Sequence, residues 1–453
     1  MGGFGDWYGQ TTVHPLGLAV LTLLAAALFA VRRQHAIIPF LILMCLIPAA
    51  QRIVVASLDF TFYRLLIMAG IARVFAKGEH RSFRWNTLDT MVVAWVASGI
   101  VVMTAEYGTV TALINRLGWA LDQAGAYLVF RCLVRDREDL HTLVRAVVIL
   151  AVPVAAFLAF EWATQRNIFS IFGGVPAKTM IRDGRLRCQG PFSHPIMAGC
   201  FWASLLPLVL VFWHNHTSRR FVAALGTAAV LLIVAACASS TPLLTVGAGL
   251  LAYGFYFFRR HTRGARWAIL FMLIGLHFAM AKPVWHLMAR VNIVGGSTGW
   301  HRYYIFDTFI RHFDDWWLLG ESDVLSWGVW QMRDITNQYV LEGLRGGLLS
   351  LTFFVASIVF AFIYAGRALR RVSNPRDRRI IWALGAWVLT HALTFFGISY
   401  AGQISLLWVL ALACLGSAVT MRFESTAPAR PAARASHPTR SPPALRPWPH
   451  TSG

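Results

Sequence analysis

Between residues 182 and 199 the chain reads R-D-G-R-L-R-C-Q-G-P-F-S-H-P-I-M-A-G. Arg182, Arg185 and Arg187 lie within six residues of one another, just ahead of an apolar segment. Cations at a bilayer boundary are costly unless they meet an anion. A guanidinium suits that task because it binds phosphate oxygens through two donors at once. Gly190-Pro191 forces a turn, and His194-Pro195 opens the next helix, since proline is tolerated in a first turn. The segment fits a pyrophosphate clamp with a histidine beside it. A basic loop resting on lipid headgroups would use the same residues.

Other residues could contribute. Glu161 ends the preceding apolar run, placed either to act as a general base or to pair with an arginine. Residues 299–307 read G-W-H-R-Y-Y-I-F-D and carry Arg302, and residues 330–349 read W-Q-M-R-D-I-T-N-Q-Y-V-L-E-G-L-R-G-G-L-L. Asp334 could accept a proton from a sugar hydroxyl. Asn337 could face a sugar or cap the helix that follows, and Trp330 could hold a sugar face. Glu342 and Arg345, three apart, could pair along a helix, and Gly346-Gly347 permits close helix packing. Arg64 lies within an apolar run, where it could face a cavity or pair with Asp59; Asp122 is ambiguous in the same way.

The elements that must position these residues are apolar. Of 453 residues 57% are hydrophobic and only 13% charged, against about 25% charged in soluble domains. A spanning helix needs about 20 apolar residues, and about thirteen runs qualify: 15–31, 36–51, 55–76, 88–105, 110–131, 140–162, 194–213, 220–238, 241–258, 266–282, 340–366, 380–397 and 400–421. The expected fold is all-α, a polytopic transmembrane bundle of 12–13 helices over residues 15–422. The net charge of +21 comes largely from Lys and Arg in short alternate loops. That is the pattern of cytoplasmic loops, and no nucleic-acid-binding motif accompanies it. The opposite, external face receives two long loops, about 163–193 and 283–339, the second rich in tryptophan. Residues 1–14 are expected outside and the Pro/Ala/Ser/Arg-rich stretch 423–453 as a disordered cytoplasmic tail. The six cysteines form no C-x-x-C pair and read as small buried apolar residues.

Three stretches together resemble the O-antigen ligase and Wzy-type polysaccharide polymerase superfamily, most closely its exopolysaccharide polymerase-like members. They are L-D-F-T-F-Y-R-L-L from Leu58; E-W-A-T-Q-R-N-I-F from Glu161, continuing to the G-P-F-S-H-P turn; and H-R-Y-Y-I-F-D from His301, leading to D-I-T-N-Q-Y-V-L-E-G-L-R-G-G-L. The resemblance covers roughly residues 50–400. It implies glycan transfer from an undecaprenyl-pyrophosphate-linked oligosaccharide to a sugar hydroxyl, at the periplasmic face of a bacterial inner membrane. It also implies that no metal or other cofactor takes part. Arg302 matches the arginine opening the large-loop motif, Arg185 or Arg187 the arginine before the G-P-F-x-H-P turn, and Asn337 the asparagine of the ligases' H-N-x-Y. Thr336 stands where that motif has histidine, and Ser239-Ser240-Thr241-Pro242 where many ligases read S-R. Polymerisation is therefore the preferred reading, with ligation to lipid A core the alternative.

The mechanism expected from these residues gathers Arg182, Arg185, Arg187 and Arg302, with Arg64 as an outside candidate, where charge grows on the leaving pyrophosphate. Asp334 is the first choice to orient or deprotonate the acceptor hydroxyl, with His194 and Glu161 in reserve. Membrane lipid and a chain-length regulator or another assembly protein are the further partners. A flippase for the same lipid-linked glycan would share the helices and basic gates. A non-catalytic member of an export complex is the third reading.

Overall fold

The structure is a computed structural model that describes residues 10–56, 58–215, 220–290, 299–421 and 453. The expected tail therefore lies outside the described residues except for Gly453, as do residues 1–9 of the expected external N-terminus. The structure is 75% helical with almost no sheet. In chain order come α1 (Pro15–Ala30), α2 (Ile38–Leu46), β1 (Arg52–Val55), β2 (Leu58–Thr61), α3 (Phe62–Ala76), α4 (Thr87–Tyr107), α5 (Val110–Ala120), α6 (Ala126–Leu133) and α7 (Arg137–Thr164). Then follow β3 (Met180–Arg182), β4 (Arg185–Arg187), α8 (Pro195–Ser204), α9 (Leu206–Asn215), α10 (Arg220–Ala236), α11 (Ser240–Gly254) and α12 (Thr262–Ala279). The last are α13 (Gly299–Arg311), α14 (Phe313–Trp316), α15 (Gln338–Arg371), α16 (Pro375–Thr394) and α17 (Gln403–Ala418).

Each of the thirteen apolar runs falls largely on helix, but few are long. Four helices among the described residues are long and apolar enough to cross a membrane: α4, α7, Pro195–His214 (α8 with α9) and α15. A fifth is reached if Gly264–Ala279 is joined to Val284–Arg290 across its 89° bend. One run departs from helix at its start. Arg52–Val55 and Leu58–Thr61 pair antiparallel, with Ile53 opposite Phe60 and Val54 opposite Asp59. R-I-V-V and L-D-F-T are rich in β-branched and aromatic residues, which favour extended backbone.

Helix starts are written in the sequence. Asn86 and Asp136 each close a capping box, with Asp89 and Asp139 at the third position. Asn374 caps α16 ahead of Pro375. The arginine-rich ends of the helices are tied together by ion pairs, two of them fully buried. Arg131 binds Asp89 at 2.8 Å, Arg73 binds Glu79 at 2.9 Å, Arg137 binds Asp377 at 2.6 Å, and Arg33 binds Asp136 and Asp139. The six cysteines are buried and free.

The opposite helix ends carry the hairpins and loops. Gln51 accepts the His14 N–H at 2.9 Å and donates to the Phe172 carbonyl, and Gln403 donates to the Pro191 carbonyl at 3.0 Å. Here residues 283–290 and 299–337 are built of short helical pieces around α13, and residues 291–298 of the expected loop lie outside the described residues. They are anchored to a break in α15, where Gly347 adopts φ 63°. Across that break the Glu321 N–H donates to the Leu344 carbonyl at 2.8 Å and the Leu348 N–H to the Trp317 carbonyl at 2.7 Å. Gly346 also lets α15 approach Gly99 of α4.

Candidate functional site

The end of α10 and the start of α11 are joined by a tight turn, with Ala238 at φ 42°. Ser239 takes the N-cap position without a side-chain hydrogen bond to the helix. Two arginines from distant segments lie at this turn, one on its α10 side and one on its α11 side. Arg187 ends β4, and the next residue, Cys188, donates its N–H to the Ala236 carbonyl at 2.9 Å. Arg302, in the first turn of α13, donates through Nη2 to Thr241 Oγ1 at 2.7 Å. Gly397, three residues past the end of α16, permits a close approach here, since a Cβ there would meet Thr241 Cγ2 at 2.8 Å. Gly199 brings α8 against Cys237 and Pro242 in the same place.

Arg187 is 4% exposed and Arg302 6%. The Nε of each has no hydrogen-bond partner. Neither guanidinium pairs with a carboxylate among the described residues. Burial pushes the pKa of both below the ordinary arginine value, and nearby Arg182 adds to the shift at Arg187. Both remain charged at neutral pH, since arginine does not lose its proton in proteins. Two buried cations thus stand near the α10–α11 turn without a carboxylate partner, and neither lines the large cavity nearby.

His194 lies beside this site. Burial first, then the charges of Arg187 and Arg182, lower its pKa to about 4, so the ring is neutral at physiological pH. Its Nδ1 accepts the Ile196 N–H at 3.1 Å and caps α8. The proton of the neutral ring therefore sits on Nε2, which makes His194 a donor on that side rather than a base.

His194 also lines a cavity of about 1160 Å³. Its walls carry Arg52, Arg64, Arg116 and Arg345, the carboxylates of Asp59, Asp122 and Glu342, and the indoles of Trp95 and Trp119. Arg64 binds Asp122 at 2.6 Å and also the Asp59 carbonyl, while the Asp59 carboxylate pairs with Arg52 at 2.6 Å. A π-helical turn over residues 121–125 carries Asp122 and Gln123 to the cavity wall. Such turns recur at functional sites.

The other residues singled out from sequence lie elsewhere. Arg182 and Arg185 are exposed on the β3–β4 hairpin. Asp334 is exposed, and its contact with His301 runs through its backbone carbonyl at 2.9 Å. Trp330 is 68% exposed and packs on Arg333, whose guanidinium is 4.0 Å from the ring centre. None of these four lines the cavity. Asn337 is the N-cap of α15, accepting from Tyr339 and Val340, with its Nδ2 left without a partner. The Glu161 carboxylate accepts from the N–H groups of Gln189 and Gly190, at 3.2 and 2.8 Å, and from the Thr179 hydroxyl at 3.3 Å. It shapes the turn instead of pairing with arginine. Glu342 and Arg345 do not pair either: Glu342 accepts from Trp95 Nε1 at 2.8 Å and Gln338 Nε2 at 2.7 Å.

Two residues that matter here carried little signal in the sequence. Thr241 lies in an ordinary helix start, and Arg116 in the unremarkable run T-A-L-I-N-R-L-G-W. Among the described residues no group of His, Cys, Asp and Glu is arranged to hold a metal ion. No protein-family model matches the chain, and no curated protein sequence matches it.

Proposed function

We propose that this chain is a polytopic membrane enzyme of the O-antigen ligase and Wzy-type polymerase superfamily. It transfers a glycan from an undecaprenyl-pyrophosphate carrier to a sugar hydroxyl and so extends a polysaccharide repeat by repeat at the external face of the inner membrane. The observation that carries the reading is the burial, without a carboxylate partner, of Arg302 against the first turn of α11 and of Arg187 beside the end of α10. The site lies at the helix ends opposite the ion-paired, arginine-rich ends, where an outward-facing reaction would take place.

In this reading the diphosphate sits between the two guanidiniums and the α11 N-terminus. As the acceptor oxygen bonds to the anomeric carbon, the bond from that carbon to the diphosphate oxygen breaks. The electron pair stays on the diphosphate, where the two arginines stabilise it. The acceptor hydroxyl's proton passes to the departing diphosphate, whose oxygens become more basic in the same step. His194 contributes a neutral Nε2–H donor between donor site and cavity, and the cavity receives the acceptor glycan.

The test uses full-length protein in lipid nanodiscs with a lipid-diphosphate-linked oligosaccharide. Longer glycans should form, and Arg187→Ala and Arg302→Ala should each abolish them at normal protein levels. Unchanged extension in both variants removes the proposal. Movement of the intact glycan across vesicles without extension would establish a transporter in its place.

A further inference from the structure

The cavity holds a second cationic group that the donor site does not use. Arg116 of α5 lines it and is 5% exposed. Its Nε and Nη2 face only the Met103 thioether, a weak acceptor. Its guanidinium lies 5.1 Å from the centre of the Trp119 ring. Arg345, from α15, lines the same cavity and bears the same charge. Neither arginine has a carboxylate partner among the described residues.

The neighbouring cations are served differently. Arg52 and Arg64 each hold their own carboxylate at 2.6 Å. Glu342 lends its charge to Arg116 from a distance, but its oxygens are engaged by Trp95 and Gln338. Four arginines against three carboxylates leave one positive charge uncompensated, and of the two arginines without a carboxylate it is Arg116 that is buried, while Arg345 is exposed. A buried, unpaired guanidinium is costly, and a ligand that supplies the missing charge relieves that cost.

The remaining walls describe the rest of that ligand. Trp119 offers an indole ring and Asn115 an amide, while Gln123 and Ser405, hydrogen-bonded to each other at 2.9 Å, add a polar patch to the wall. Indole faces take the flat C–H side of a sugar ring, and amides and hydroxyls pair with its hydroxyl groups. We propose that this cavity is a subsite for an acidic saccharide, whose carboxylate is held by Arg116 and Arg345. As the acceptor subsite of the transferase it rests on the function proposed above; as a binding site it stands on its own geometry.

The experiment titrates full-length protein in nanodiscs with a soluble uronic-acid trisaccharide, following tryptophan fluorescence and calorimetry. Parallel titrations use the neutral trisaccharide with reduced carboxyls, inorganic phosphate, and vesicles containing phosphatidylglycerol. The acidic sugar should bind at least about tenfold tighter than the neutral one, a difference near 1.4 kcal/mol. Arg345→Gln, an exposed position that spares the fold, should erase that preference, as should Arg116→Gln; Arg185→Gln should leave it intact. Equal binding of acidic and neutral sugars would overturn the proposal. So would binding of phosphate or vesicles with none of either sugar. Binding of the acidic sugar by a protein that extends no glycan would overturn the transferase reading and leave this one standing.

Discussion

Arg302 Nη2 and Thr241 Oγ1 meet at 2.7 Å, joining the first turn of α13 to the first turn of α11 in a place closed to water. The threonine fixes one arm of the guanidinium and leaves Nε without a partner. Thr241→Val keeps the shape and removes the acceptor. We expect glycan extension to fall by about tenfold, the effect of a lost charge-assisted hydrogen bond. Arg302→Lys should cost more, about 10²- to 10³-fold, because a single ammonium cannot reproduce the fork. Initial rates per mole of folded protein distinguish the two, and a Thr241→Val enzyme as fast as the parent would refute the anchoring role.

Arg185 and Arg187 sit two apart on β4, yet one is exposed and the other buried. Arg187→Gln should therefore lose extension by at least about 10²-fold. Arg185→Gln should retain at least half of it. Equal losses would mean that the hairpin matters as a whole, not through its buried guanidinium.

The depressed pKa of His194, about 4 against an ordinary 6.5, has a consequence for stability. The unfolded chain binds this proton at higher pH than the folded one. The neutral ring's contribution is thus complete above about pH 6.5 and is lost as the pH falls toward 4. Thermal unfolding between pH 7.5 and 4.5 should show this loss. His194→Asn keeps a helix cap without a titrating group, so its acid sensitivity should be smaller. An identical pH dependence in both proteins would contradict the assignment.

Glu161 is expected to matter for folding more than for chemistry. Removing its carboxylate leaves two buried N–H groups, those of Gln189 and Gly190, without an acceptor. Each such group costs about 1–3 kcal/mol. Glu161→Ala should lower the unfolding temperature by several degrees, read with a thiol-reactive dye against the six buried cysteines. The fraction that stays folded should keep its extension rate, and a stable but inactive variant would return Glu161 to the reaction.

Gly347 allows the test of a backbone requirement. Its φ of 63° with ψ of −171° is a conformation reserved for glycine. A Cβ there would also meet the Leu318 carbonyl oxygen at 2.5 Å. Gly347→Ala should destabilise by about 1–3 kcal/mol. Gly366→Ala, farther along the same helix, should be neutral or slightly stabilising. Thermal unfolding of the pair checks the contrast.

Hydropathy made the helices legible, because an apolar run announces itself without knowledge of its neighbours. Residues 52–61 escaped that reading: their apolar content merged with that of α3, and only their β-branched and aromatic residues mark them as extended. Arg187 and Arg302 were visible as candidates because arginine near a membrane boundary is conspicuous. Which of three neighbouring arginines turns inward depends on the pairing of β3 with β4, and that is set by tertiary contacts. Glu342 and Arg345 look like partners three residues apart, yet α4 supplies Trp95 and the pair does not form. Arg116 had no local mark, since its significance lies in what surrounds it.

The break at Gly347 has a mechanical implication. The Leu344 carbonyl and the Leu348 N–H are both engaged by residues 317–321 of the neighbouring segment. Lifting that segment would strand both backbone groups, so it and the upper half of α15 move as one rigid piece. Another wall of the chamber is made by Arg52, Leu58–Thr61 and α5.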